Sequence, residues 1–175
     1  NARSADLETV VEIFDQAFSA KFAQAVRNPV LRKKLWMKVI NLNQVTVAEL
    51  NNDLVGMLLF SYADSPGFHK VSSRSVFELL GFLRTLRAAL FFQLFSKLDW
   101  KPKAGHVYIE AISVSAQARG RGLGSRLLED AKQKSSEQGL VALELSVVLE
   151  NEAAKSLYLR QGFEVIRKKK SFLLS

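Results

Sequence analysis

Apolar residues recur at helical spacing near the start of the chain, at Leu7, Val10, Val11, Phe14 and Phe18. They predict a helix over about 4–19. A second helical stretch covers roughly 20–40, with a break at Asn28-Pro29, because the residue before a proline is pushed out of the helical region. The period then changes. Val45, Val47 and Leu50 belong to one strand and Leu54 to Tyr62 to another. Asn51-Asn52-Asp53 reads as the tight turn of a hairpin between them. His106 to Val114 is a strand. Gly122 to Gln138 is a helix with Leu123, Leu127, Leu128 and Ala131 on one face, stopped by Gly139. Val141 to Leu149 is rich in Val and Leu and reads as a strand buried on both faces. Asn151 caps a helix that ends at Gly162, and Phe163 to Arg167 starts a last strand.

This order predicts one domain over 1–175 of the α/β (mixed α+β) class. A mixed, mostly antiparallel sheet is flanked by helices, and 106–149 forms a right-handed parallel strand–helix–strand unit. Residues 66–104 fit no simple connection and read as an insertion. Within it, Ser75 to Leu98 is very apolar and carries Phe77, Phe82, Phe91, Phe92 and Phe95 nearly all round a helical wheel. Glu78, Arg84 and Arg87 would each cost about 2.5–3.5 kcal/mol near a bilayer centre, which argues against a transmembrane span. A helix, or a helix pair broken at Gly81, packed on the body is expected.

Composition narrows the chemistry. The 175 residues include no Cys and two His. That excludes a disulfide framework, Cys-based zinc and thiol catalysis, and a His-rich metal site is not expected. It suits a reducing compartment such as the cytoplasm. The net charge of +8 favours anionic partners. Its clusters, Arg32-Lys33-Lys34 and Arg167 to Lys170, read as solvated faces, without the zinc-finger or aromatic-basic signatures of nucleic-acid binding.

Two segments carry the candidate chemistry. The first is Arg119-Gly120-Arg121-Gly122-Leu123-Gly124, straight after an apolar strand and at the start of a helix. Closely spaced glycines let backbone N–H groups approach an anion, and the helix start adds partial positive charge. A plain strand–helix turn is the competing reading. Ser125 stands where a dinucleotide fingerprint needs its third Gly, and no P-loop is present. The second segment is Asn151-Glu152-Ala153-Ala154-Lys155-Ser156-Leu157-Tyr158, running on to Gly162-Phe163. A Tyr on such a helix is by default a core residue with a satisfied hydroxyl.

Together the two segments resemble the Gcn5-related N-acetyltransferase superfamily. Arg119, Gly122 and Gly124 match its [Arg/Gln]-x-x-Gly-x-[Gly/Ala] loop. Asn151, Ala154, Tyr158, Gly162 and Phe163 match its Asn-x-x-Ala-x-x-x-Tyr-x-x-x-Gly-Phe hallmark. The resemblance covers 106–163 by motif and about 44–168 by element order. The family's first strand precedes its first helix, whereas this sequence opens almost at that helix and stops where a last hairpin strand would be starting.

The resemblance implies an acetyl-CoA-dependent N-acetyltransferase acting on a primary amine. The amides of Arg119, Gly120, Arg121, Gly122, Leu123 and Gly124 would bind the pyrophosphate. The backbone of Ile112, Ser113 and Val114 would pair with the pantetheine arm, with Asn151 and Ala154 beside it. Tyr158 would protonate the departing thiolate, and a phenol of pKa about 10 suits that role. Glu110 sits mid-strand among apolar residues, which is costly unless it is paired or near water. It is a surface or ion-paired residue, or, as in some family members, the general base. A non-catalytic acyl-CoA-binding domain is the alternative reading. A small-molecule amine or a peptide is the expected acceptor, with neither nucleic acid nor membrane as partner, and the insertion could form a homodimer contact. His69 and His106 read as structural or solvated, and Trp36 and Trp100 as core or interface. Glu144 and Ser146 could border the acceptor cleft.

Overall fold

The computed structural model describes residues 1–96 and 102–168. Trp100, Leu98 and the end of the basic run at Lys169-Lys170 lie outside the described residues. The helix α1 (Leu7–Phe22) is followed by α2 (Pro29–Val39). Proline opens α2 without losing a helical hydrogen bond, and the Asn28 side chain accepts from the Leu31 amide to cap it. The hairpin β1 (Val45–Leu50) and β2 (Asp53–Tyr62) turns at Asn51 and Asn52, both at positive φ, 53° and 68°. Asparagine tolerates that region, so the turn lets the two strands keep their twist.

The insertion forms α3 (Ser73–Leu80) and α4 (Phe82–Ser96), separated at Gly81, whose φ of 74° ends the first helix. β3 (His106–Val114) leads into α5 (Leu123–Glu137), β4 (Ala142–Leu145) and α6 (Glu152–Arg160). The sheet order is β1-β2-β3-β4. Its first two pairings are antiparallel and the last is parallel.

Each face of the sheet buries a separate core. On one face Val10, Phe14, Trp36, Met57, Leu59 and Ala111 join α1 and α2 to the strands. On the other, Leu58, Phe60, Val107 and Ile109 meet Leu127, Leu128 and Ala131 of α5. Each such large side chain, fully buried, contributes roughly 1.5–3 kcal/mol. A third cluster, with Ala25, Val26, Leu35, Leu80 and Ala88, docks the insertion on α2. Phe82, Leu83, Leu86 and Leu90 stay on the exposed side of α4.

Three expectations need correction. The strand foreseen at Val141–Leu149 is only Ala142–Leu145 and is half-buried, with Val141 exposed. Among the described residues no strand pairs with its outer edge. Phe163 to Arg167 forms no strand for the same reason: among the described residues no strand pairs with it, and Val165 and Ile166 are exposed. Arg32 does not belong to a solvated basic face. It is buried, and its Nε and Nη2 donate to Asp15 at 2.6 and 2.8 Å. Trp36, buried as expected of a core residue, donates its indole N–H to the same carboxylate at 2.9 Å. Arg32 and Trp36 are one helical turn apart on α2, and that spacing is the signal the basic run concealed.

Candidate active site

β3 has two different edges. Along one it pairs with β2 from Val107 to Val114. Along the other it pairs with β4 only from His106 to Ile109, where Leu145 ends the ladder. From Glu110 onward no residue of β4 pairs with β3, and this edge is left open among the described residues. The Ser115 amide donates to Val55 on the β2 side at 2.8 Å. Strand alternation therefore turns the main-chain groups of Ile112 and Val114 toward the opening and those of Ser113 toward β2. The Ser113 side chain is buried.

The opening begins at a β-bulge. Leu59 pairs with Ala111 and Phe60 with Ile109, so Glu110 is an extra residue on β3. Val107 and Ile109 before it, and Ile112 and Val114 after it, all pack on the α5 side. Glu110 is half-buried, and its Oε1 accepts from the Ser61 hydroxyl at 2.6 Å.

At the far end of the opening lies the glycine loop. Gly120 and Gly122 both have φ of 76°, and a Cβ added at either would meet nothing within 4 Å. The space beside them is open, which is what an approaching phosphate requires. Arg126 N–H makes the first bond of α5, to Gly122 O at 3.1 Å. The amides of Leu123, Gly124 and Ser125 are therefore first-turn donors without a helical acceptor. The Arg119 side chain donates from Nε to Val114 O at 3.0 Å and ties the loop to the end of β3. Arg121 is exposed. Gly124 acts through packing instead. A Cβ there would lie 3.2 Å from Leu157, so its absence lets α6 pack on α5.

α6 carries the second segment and packs on the first turn of α5, Leu157 against Gly124. The Asn151 carbonyl oxygen accepts from Ala154 N–H at 3.1 Å, so its first duty is to cap α6. Ala154 is half-buried one turn before Tyr158. Gly162, at φ 78°, closes the helix, with the Phe163 amide donating to Tyr158 O at 3.0 Å. The Tyr158 ring packs edge-on to Phe163, with centroids 6.0 Å apart, against the α5-side core. Burial raises its phenol above the ordinary value of 10.0, so it stays neutral throughout the physiological range. Its hydroxyl makes no hydrogen bond with the described residues.

Sequence reasoning left His106 and Glu144 without a joint role. The parallel register sets Tyr108 opposite Glu144, and His106 Nδ1 lies 3.0 Å from Glu144 Oε1. It missed Ser61 altogether, because a lone Ser at the end of an apolar strand carries no pattern.

The chain matches the acetyltransferase (GNAT) family over residues 7–163. It is 35% identical over 57 residues to GCN5-related N-acetyltransferase 7, chloroplastic, of Arabidopsis thaliana. That match spans 33% of this chain and 21% of the Arabidopsis protein. Among solved structures, an N-acetyltransferase from Staphylococcus aureus Mu50 superposes with a TM-score of 0.68 at 17% identity, covering 98% of this chain and 93% of that one. AAC(6')-Iy in complex with the bisubstrate analogue CoA-S-monomethyl-acetylneamine superposes with a TM-score of 0.58 at 13% identity, covering 97% and 91%. These likenesses are to the fold. With the family pattern running through β3, the glycine loop and α6, the chain belongs to the GNAT family of acetyltransferases.

Proposed function

We propose that the protein transfers an acetyl group directly from acetyl-CoA to a primary amine. The observation that carries this reading is the end of the β3–β4 ladder at Ile109 and Leu145, followed by the open glycine loop at the start of α5, on which α6 packs at Gly124 and Leu157. Acetyl-CoA supplies an activated acyl group. The amides of Gly120 to Gly124, with Arg119 and Arg121 nearby, suit its pyrophosphate. The Ile112 main chain and the Val114 N–H, with Ser113, Asn151 and Ala154, suit the amide-bearing arm. With no Cys in the sequence, no cysteine thioester forms on the protein, and transfer is direct.

Two residues move protons. An alkyl ammonium has pKa about 10.4 and attacks only after losing a proton, which Glu110 accepts. Tyr158 holds a proton at its hydroxyl for the leaving thiolate. The helices α3 and α4 of the insertion cover the acceptor side, and its first loop already reaches Ser61, the neighbour of Glu110. The cysteine-free chain suits a reducing cytoplasm and a plastid stroma alike. Among the described residues no helix is long and apolar enough to cross a membrane.

The test is release of free CoA from acetyl-CoA with a panel of alkylamines, an aminoglycoside, lysine and peptide N-termini. Turnover with at least one amine is the expected result. Calorimetric binding of acetyl-CoA without turnover across the panel would leave a non-catalytic acyl-CoA-binding domain instead.

A further inference from the structure

We infer that Ser61 is a positioning residue for Glu110, and that it ties this carboxylate to the loop opening the insertion. The inference rests on the reading of Glu110 as general base. Ser61 lies on β2 opposite Tyr108, with 4% of its surface exposed. Its hydroxyl has two neighbours: the Gly67 N–H donates to it at 2.7 Å, and it stands 2.6 Å from Glu110 Oε1. An amide N–H can only donate, so it takes a lone pair of the hydroxyl. The one hydroxyl hydrogen is left for the carboxylate. The Ser–Glu distance falls in the range of charge-assisted O–H···O⁻ bonds.

The amide that sets this direction is itself fixed. A Cβ on Gly67 would lie 2.3 Å from Phe60 O, so only glycine brings its N–H so close to β2. The Gly67 carbonyl accepts from the Asn41 amide at 2.8 Å, and the Asn41 side chain donates to Pro66 O at 3.1 Å. Phe68 bridges to Ile40, and His69 N–H donates to Val39 O at 2.6 Å. The loop is thus anchored to the end of α2. A bulged residue aims its side chain away from the regular ladder. The chain from Asn41 through Gly67 and Ser61 holds Glu110 Oε1 in one orientation.

A purely structural Ser61 would serve only the Gly67 amide, and the two roles separate by experiment. The titration of the Glu110 carboxyl carbon is followed by 13C NMR in the protein alone, the signal being identified by its loss in Glu110→Gln. Among the described residues, the titratable groups on this side of the sheet include Tyr108 and His106 on β3, Glu144 on β4, His69 beyond the loop, and the Asp15–Arg32 and Glu12–Lys33 pairs on α1 and α2. A hydrogen bond to a carboxylate favours its charged form. Ser61→Ala should therefore move the Glu110 midpoint to higher pH, and Ser61→Thr, which keeps the hydroxyl, should restore it. With acetyl-CoA and an amine that turns over, Ser61→Ala should lower kcat about tenfold, leave KM for acetyl-CoA in place and shift the acid limb of the rate profile upward. In the Glu110→Gln background the same change should alter kcat by less than about twofold. An equal fractional loss in both backgrounds, or an unmoved Glu110 midpoint in Ser61→Ala, overturns the inference. A Glu110→Gln protein as fast as the native one removes the base and the inference with it. A slow Glu110→Gln beside a fast Ser61→Ala removes the inference alone.

Discussion

The two sides of β3 divide the molecule into a closed half and a parted half. Toward β2 the strand is paired along its length, and above that side α1 and α2 are locked by the buried Asp15–Arg32–Trp36 cluster. Toward β4 the pairing stops midway, β4 is short, and α6 has no fully buried residue. A buried ion pair stabilises little by net energy but is costly to break. A parted strand edge exposes donors and acceptors that a ligand can satisfy. The difference teaches that a paired edge and an open edge lie on opposite sides of one strand, so that the first can hold the second in place.

The largest expected effect tests the parted half. Tyr158→Phe should lower kcat by about 10²–10⁴-fold with acetyl-CoA affinity nearly unchanged. Thermal stability should barely move, since the hydroxyl makes no hydrogen bond with the described residues. Full activity in this variant would deny the parted half its proton donor. The mirror experiment belongs to the closed half. Asp15→Ala leaves the Arg32 guanidinium buried without its carboxylate, where both side chains are at most 6% exposed. Urea unfolding should show a loss of about 3–5 kcal/mol. A triple replacement by apolar residues, Asp15→Leu with Arg32→Met and Trp36→Phe, removes the indole donor that Asp15 satisfies and should recover most of it.

A smaller effect separates the two ends of α5. Gly122→Val places a branched residue at φ 76° beside the open loop, and Gly139→Val places one at φ 65° at the helix C-terminus. Each costs about 1–2 kcal/mol of conformational strain. Only the first should weaken acetyl-CoA binding by calorimetry, by about tenfold or more. Equal affinities would mean that the loop does not touch the ligand.

The smallest effect is alkaline. Burial raises the phenols of Tyr62 and Tyr158 above 10.0, the hydrogen bond from Gln138 partly opposing it for Tyr62. The folded chain therefore holds these protons more tightly than the unfolded one. Their stabilisation is complete below about pH 10 and is lost as the pH rises through the folded values. Unfolding curves between pH 9 and 12 should show a shallower decline in Tyr158→Phe than in the native protein.

Much of this division was legible in the chain. The helical period of Leu7 to Phe18, the Asn-Asn turn and the Gly-ended helices appear where their patterns lie, because each depends on local sterics or a single face of burial. The glycine loop and the α6 segment were legible through their spacing. The failures share a cause. Val141 to Leu149 and Phe163 to Arg167 have the composition of strands, but a strand exists only where another offers its edge, and that is not written locally. Arg32 looked solvated because the partner that buries it is on another helix, at Asp15. Ser61 and the His106–Glu144 pair depend on register between strands, which periodicity does not specify.

The extra residue in β3 has one more consequence. Remove Glu110 from Val107-Tyr108-Ile109-Glu110-Ala111-Ile112-Ser113-Val114 and what remains alternates without a fault. Val107, Ile109, Ile112 and Val114 would fall on every second position, the spacing of an ordinary half-buried strand. On the proposed reading of Glu110 as the base, the scaffold and its chemistry thus differ by a single inserted amino acid. A chain lacking it keeps every apolar position of the strand in phase, and is the natural starting sequence for an inert copy of this domain.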